Sequence, residues 1–208
     1  MDTRAAYNVW AHQYDTNLNK TRDLEAEALR SSLSGISFEN CLEIGCGTGK
    51  NTAYFVERAK LVTAVDISDQ MLEKARQKIT SPRVEFRLED ITAPWSFEKQ
   101  FYNLVTFSLV LEHIKDLDHV FRQAVDSMAP GGHVYIGELH PFKQYAGTKA
   151  RFESENGVHV VECFNHHVSD FIIPAKKNGL SIVDINEFFD DNDRKNIPRI
   201  LTIILKKS

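Results

Sequence analysis

Cysteine is scarce in this chain: three residues in 208, Cys41, Cys46 and Cys163. Their number is odd and no two are spaced as CxxC. That pattern speaks against a disulfide framework and against a zinc site, and it predicts a reducing, cytoplasmic setting. No run of apolar residues approaches the roughly 18 that a membrane span needs, so no membrane is expected as a partner. The opening MDTRAAYNVWAHQYD is polar and mixed in charge, and predicts no secretory leader. Positive charge is not in excess either. Lys and Arg total 25 against 29 Asp and Glu, a net charge of −4, which argues against a broad nucleic-acid surface. Internal repeats and low-complexity tracts are absent. What remains is an ordinary globular composition, 42% hydrophobic and 26% charged. The length predicts one domain over residues 1–208, with a core that needs neither metal nor disulfide.

From residue 40 onward, short apolar runs alternate with helical patterns. Asn40 to Cys46, Lys60 to Ile67, Val84 to Leu88, Tyr102 to Val110 and His133 to Leu139 read as strands. Asn51 to Ala59 and Asp118 to Met128 read as helices, the second stopping at Pro130-Gly131-Gly132. Ser68 reads as the N-cap of another helix running to about Ile79. Such alternation predicts an α/β fold with a mostly parallel sheet covered on both faces. The C-terminal part differs. A helix from Ser169 to Asn178 ends at Gly179, and the strands Ser181 to Phe188 and Arg199 to Lys206 follow with only a loop between them. They are expected to pair antiparallel. Residues 1–34 read as a helical cap. Residues 140–168 read as an insertion, with Ala150 to Glu153 and Val158 to Phe164 flanking a turn at Glu155-Asn156-Gly157. An insertion at a strand's carboxyl end lies where open α/β sheets bind ligands.

The stretch LEIGCGTGKNT, residues 42 to 52, carries three glycines at alternate positions. Glycines between strand and helix let the chain bend sharply and let a ligand approach the backbone. A phosphate-binding loop would need glycine where Ile44 stands and Ser or Thr where Asn51 stands, so that pattern fails twice. A dinucleotide fingerprint starting at Gly45 or Gly47 would need a glycine where Lys50 or Thr52 stands. The segment Glu43-Ile44-Gly45-Cys46-Gly47-Thr48-Gly49 instead resembles motif I of class I S-adenosylmethionine-dependent methyltransferases. Asp66 lies 21 positions beyond Gly45 (66 − 45), where a carboxylate can accept both ribose hydroxyls. Leu88-Glu89-Asp90-Ile91 is similar to the segment that meets the adenine, and Ser108-Leu109-Val110-Leu111-Glu112-His113 to the one lining the methionine side. Tyr7-Asn8-x-Trp10-Ala11-x-x-Tyr14-Asp15 and His167-Val168-Ser169-Asp170-Phe171 resemble the ubiquinone/menaquinone-biosynthesis-type branch. The resemblance covers residues 7 to 206.

What the resemblance implies is a Rossmann-like seven-stranded sheet with its last strand antiparallel. The residues 1–34 become a cap over the cofactor and 140–168 a β-hairpin lid. It further implies methyl transfer from S-adenosylmethionine, leaving S-adenosylhomocysteine, to a small-molecule acceptor whose nucleophile is oxygen, nitrogen or carbon. The alternatives are an RNA or protein methyltransferase and a protein that binds the cofactor without transfer. Monomer and homodimer fit equally. The implied cofactor residues are Tyr7, Tyr14, Arg22, Glu43, Gly45, Cys46, Gly47, Asp66, Ile67, Met71, Asp90, Ile91, Ser108 and Leu109. Each has a plainer reading: Glu43 as a brace for the turn, Tyr7 and Tyr14 as core aromatics, Arg22 as a solvated cation. His113, Phe142, Tyr145, Phe152 and Phe164 are candidate acceptor contacts. His140 and His167 are candidate general bases, since an imidazole can take a proton near neutral pH. No metal is expected: His166-His167 lacks a second cluster at ligand spacing, and Asp190, Asp191 and Asp193 read as a solvated turn.

Overall fold

The computed structural model describes residues 2–96, 102–154 and 157–208. Two helices come first, α1 (Thr3–Trp10) and α2 (Lys20–Ser32), where one helical cap was expected. Then β1 (Asn40–Ile44), α3 (Thr52–Arg58), β2 (Leu61–Asp66), α4 (Asp69–Lys78) and β3 (Val84–Leu88) follow in strict alternation. After β4 (Tyr102–Ser108), α5 (Leu117–Ser127) and β5 (Met128–Leu139) come α6 (Pro141–Tyr145) and the strands β6 (Arg151–Ser154) and β7 (Gly157–Val160). The chain ends with α7 (Val168–Lys177), β8 (Leu180–Phe188) and β9 (Ile200–Lys207).

Seven strands form one sheet in the order β3-β2-β1-β4-β5-β9-β8. All neighbouring pairs are parallel from β3 to β5, and β9 runs antiparallel to both β5 and β8. The expected α/β sheet with one reversed final strand is therefore present. Strand succession changes direction at β1, which lies between β2 and β4. The carboxyl ends of β1 and β4 thus frame the crevice where open α/β sheets take ligands.

Side-chain alternation sends neighbouring residues to opposite layers. On one face Leu42, Ile44, Val105 and Phe107 pack with Phe121 of α5 and Phe171 of α7. On the other, Cys41, Val62 and Leu104 pack with Leu29 of α2, Phe55 of α3 and Leu72 of α4. Helix α1 belongs to a third cluster, in which Ala6, Trp10 and Ala11 meet Met71 of α4, Phe152 of β6 and Val161. All three cysteines are free.

Two local expectations change. Pro130-Gly131-Gly132 does not precede the fifth strand but lies within it. Met128 pairs with Tyr102, then the register jumps so that His133 pairs with Leu104, leaving a bulge between. Gly131, at φ +74°, supplies the left-handed turn of that bulge. The strand expected over Val158 to Phe164 ends at Val160, paired antiparallel with Arg151–Ser154. Glu155 and Asn156 of the expected turn lie outside the described residues.

Gly45 is the backbone position on which the crevice depends most. Its φ is +70°, and a Cβ there would stand 2.1 Å from Val110 Cγ2. Gly45→Ala combines a disfavoured conformation with a collision, and is expected to cost about 2–4 kcal/mol. At this chain length that is a fall in melting temperature of about 4–16 °C, read by calorimetry.

Candidate functional site

The glycine loop is tied down before any ligand is considered. Gly45 N and Cys46 N both donate to the carbonyl of Val65, at 2.8 and 3.0 Å. Gly47 N donates to Asp66 Oδ2 at 2.8 Å, and Ser68 N donates to Oδ1 at 2.9 Å. Burial pushes the Asp66 carboxyl up while these amide donors pull it down, and burial prevails. Ser68 is the expected N-cap: its Oγ accepts from Met71 N at 3.1 Å. The same hydroxyl donates to Asn8 Oδ1 at 2.6 Å, which fastens α1 over the crevice. Thr48 Oγ1 donates to Asp15 Oδ1 at 2.6 Å and holds the end of the cap to the loop.

A cleft of about 180 Å³ opens at the carboxyl ends of β1, β2 and β4. Of the expected residues, Tyr7, Tyr14, Gly45, Gly47, Asp66, Ile67, Asp90, Ile91, Ser108, Leu109 and His113 line it. A hollow of about 50 Å³ continues past Gly45 and Leu109, and there Arg22, Glu43 and Cys46 join the wall. A Cβ at Gly47 would meet no atom within 4 Å, so the loop is open on its outer side. Asp90 uses Oδ1 to accept from Thr92 N and Oγ1, at 3.0 and 2.6 Å, which directs its turn.

Met71 is placed otherwise. It is fully buried in the cluster with Trp10 and Phe152, and is not among the residues lining the cleft. Of the aromatics expected in the lid, Phe152 stacks on Trp10 with ring centroids 5.2 Å apart. Phe142 and Tyr145 are about half exposed, beside His140 and His167. Phe164 is half-buried, and its N–H donates to the carbonyl of Glu112 at 2.7 Å.

The histidines divide by their partners. His140 is buried; its Nδ1 accepts from Phe142 N at 3.1 Å and its Nε2 lies 3.1 Å from Glu187. His167 is exposed and hydrogen-bonded to the Tyr145 hydroxyl. Neither is among the residues lining the cleft. His166 Nε2 lies 2.8 Å from the carbonyl of Ile114 and 3.1 Å from that of Leu111, a bracing role. His113 does face the cleft. Its Nδ1 is 2.7 Å from the Glu162 carbonyl, which can only accept, so Nδ1 carries the proton. Nε2 is then an acceptor for the Tyr7 hydroxyl at 2.9 Å. Glu112, His113 and Cys163 place ligand atoms within 4.8 Å of one another. Both imidazole nitrogens are already engaged, so the trio is a hydrogen-bonded cluster. Asp190, expected to be solvated, instead pairs with Arg199 at 2.5 and 2.6 Å.

Two carboxyls that frame the site went unmarked in the sequence. Glu25 of α2 accepts from Asn51 Nδ2 and Tyr135 OH, each at 3.0 Å, and lines the hollow beside Glu43. Glu138 of β5 accepts from Val110 N at 2.9 Å and Leu111 N at 2.8 Å. Those bonds hold the turn after β4, in which Leu109 takes a φ of +56°, rarely adopted by a branched side chain. The available signal for Glu138 was an acid inside the apolar run of β5, and for Glu25 only its place beside Ala26, Ala28 and Leu29 on the buried side of a polar helix.

The comparisons bear on this geometry. A family model described as "Methyltransferase domain" matches residues 42–136. That span takes in the glycine loop, Asp66, Asp90 and the turn after β4. Over that span the chain matches the methyltransferase-domain family. It is 31% identical over 135 residues to a malonyl-[acyl-carrier protein] O-methyltransferase of Salmonella typhimurium, covering 65% of this chain and 52% of that one. It is 25% identical to a ubiquinone biosynthesis O-methyltransferase of Nitrosomonas europaea, covering 62% and 58%. The chain thus spans little more than half the length of these curated relatives. The fold matches that of the N-methyltransferase NodS from Bradyrhizobium japonicum, solved with S-adenosylhomocysteine. The TM-score is 0.70 at 18% identity, over 97% of this chain and 98% of that one.

Two outcomes follow from the buried acids. Burial, reinforced by Glu25 and Asp66, pushes Glu43 up to about 8 against one opposing hydrogen bond from Thr52. A carboxyl raised in the folded state holds its proton longer than in the unfolded chain. Its contribution is full below about pH 4.5 and is lost as pH rises through about 8. Thermal stability of the ligand-free protein should fall between pH 5 and pH 8.5, and Glu43→Gln should flatten that slope. Burial and the neighbouring Glu112 likewise raise Glu138, favouring its neutral form. Glu138→Gln keeps the acceptor and should stay within about 1 kcal/mol of wild type. Glu138→Ala leaves two buried N–H groups unpaired and should cost about 2–5 kcal/mol, both read by urea unfolding.

Proposed function

We propose that this chain transfers a methyl group from S-adenosylmethionine to a small-molecule acceptor. The observation that carries the reading is the Asp66 carboxylate, pinned by two backbone amides at the mouth of a glycine loop and flanked by Ile67 and Ile91. An acid between apolar walls suits a ribose attached to a planar base, and the Asp90 carboxylate in the same wall suits that base's amino group. The adjoining hollow, with Arg22, Glu43 and Tyr14, suits a group bearing both an ammonium and a carboxylate. Arg22 donates to the carbonyls of Tyr14 and Asn17 and lies over the Tyr14 ring at 4.4 Å, so its guanidinium is already oriented.

Bound S-adenosylmethionine would supply an activated methyl on sulfur, so the protein has no electrophile to create. The chain's own task is to align donor and acceptor and to exclude water. Well-oriented reactions show that positioning can supply about 7–11 kcal/mol. Tyr7, Trp10 and Phe152 form a stacked cover from cap to insertion, which serves as the lid in this reading. If the acceptor must lose a proton, Nε2 of His113 with the Tyr7 hydroxyl is the pair that reaches the cleft. His140 and His167 would act only after a rearrangement of the insertion.

Asp66→Asn should weaken S-adenosylmethionine binding about tenfold or more by calorimetry, the loss of charge-assisted bonds to two hydroxyls. Deuterated-methyl transfer into a small-molecule cell extract should disappear with it. Label in RNA or protein rather than in small molecules would replace this reading with a macromolecular one. For the proton pathway, turnover that survives His140→Ala with His167→Ala but falls on His113→Ala would assign it to the Tyr7–His113 pair.

A further inference from the structure

The chain is acidic overall, with a net charge of −4. One cavity is not. A space of about 310 Å³ lies against the cleft and shares Tyr7, Tyr14 and Leu109 with it. Five cations, Lys20, Arg22, Lys149, Arg151 and Arg199, border it against one acid, Glu112. Arg199 is neutralised by Asp190 at 2.5 Å, and Arg22, oriented by carbonyls of the cap, also lines the hollow assigned to the cofactor. Lys20, Lys149 and Arg151 have no carboxylate within ion-pair distance among the described residues. Burial raises the Glu112 carboxyl, so the single acid is biased toward its neutral form.

Trp10, in the same wall, adds an independent observation. It is 5% exposed, and its indole N–H is buried with no acceptor. A buried donor without a partner is uncommon and costs free energy unless something accepts from it. The remaining wall combines apolar Leu18, Leu109, Leu139 and Ala150 with polar Asn19, Thr21 and Thr148. Unpaired cations, an idle N–H in the wall and a lining rich in aromatic and aliphatic side chains together describe a receptor for an oxyanion on a hydrophobic body.

We infer that this cavity receives the methyl acceptor, and that the acceptor is an amphipathic small molecule whose carboxylate or phosphate is held by Lys149 and Arg151. The inference rests on the reading of the adjoining cleft as the S-adenosylmethionine site. Lys149 and Arg151 stand at the start of β6, so the insertion provides the two charges that hold the oxyanion, while Tyr7, Trp10 and Tyr14 of the cap provide ring surface. A cationic acceptor would be repelled from the same space.

The test uses the full chain saturated with S-adenosylhomocysteine and two fluorescent probes of similar size, anionic anilinonaphthalene sulfonate and neutral phenylnaphthylamine. The anionic probe should bind more tightly. Lys149→Ala with Arg151→Ala should weaken it about tenfold, as expected for two half-exposed ion pairs. Affinity for the neutral probe and for S-adenosylhomocysteine should stay within about twofold, and Lys149→Arg with Arg151→Lys should restore the anionic probe. Both residues are exposed, so the alanine variant is expected to fold, and its melting temperature checks this. Equal affinity for the two probes, no binding of the anionic one, or an unchanged or probe-independent effect of the double variant would overturn the inference. A wild-type chain that does not bind S-adenosylhomocysteine would fail at the earlier step, removing the cofactor reading and this one with it.

Discussion

The carboxylate of Asp66 ties the glycine loop to the start of α4 at the mouth of the crevice. One oxygen receives the amide of Gly47 in the glycine loop, and the other receives the amide of Ser68 at the start of α4. Ser68 in turn caps α4 and bonds Asn8 in the N-terminal cap. A charge-assisted hydrogen bond of this kind contributes about 1.5–3 kcal/mol, and each also sets a direction. The acid thus braces the loop when the cleft is empty and stands ready at its mouth. The loop's glycines serve the same end, since Gly45 must accept Val110 at a distance no side chain would allow.

Around this point the protein concentrates buried carboxyls: Glu25, Glu43, Glu112 and Glu138, each raised first of all by burial. Each is costly to desolvate and each is partly compensated by donors from another element. Glu138 reaches from β5 to the turn after β4, and Glu25 reaches from α2 to Tyr135 and Asn51. The arrangement trades stability for placement. Four separate elements converge on one crevice edge, and the acids fix how they converge.

The parts legible in the sequence were those in which local chemistry and tertiary role coincide. Alternating apolar runs foretold the sheet, because strands buried on both faces need them. Ser68 announced its helix because an N-cap is a local event, and Asp66 was found by its distance from Gly45. Contacts across the fold left no comparable trace. Nothing near His113 indicated that its ring would meet Tyr7, 106 positions away. Met71 has the right spacing to face a cofactor, yet packing against Trp10 draws it into the core. Pro130-Gly131-Gly132 has the composition of a turn, and only the register of β5 against β4 shows it to be a bulge. Glu138 was hidden for a related reason: an acid in a strand has no local explanation, and its partners lie two strands' length away in sequence.

The division of labour between sheet and insertions follows from the same physics. Parallel strands ending at a reversal of their order create a crevice whatever sequence they carry, so the sheet determines where a ligand sits. It says little about which ligand. In the proposed reading that choice falls to residues 1–34 and 140–168, outside the seven-stranded sheet, which supply Tyr7, Tyr14, Trp10, Lys149 and Arg151. Helix α2 is part of the core through Leu29, while α1 and residues 140–168 meet through Trp10 and Phe152 and reach the body through bonds such as Asn8–Ser68 and Phe164–Glu112. The exposed residues Lys149 and Arg151 can change charge without disturbing that core. Leu109 lines the cleft, the hollow beside Glu25 and Glu43, and the cavity bordered by Lys149 and Arg151. Its φ of +56° lies in the turn that Glu138 holds, so the residue common to all three spaces is itself placed by a buried acid.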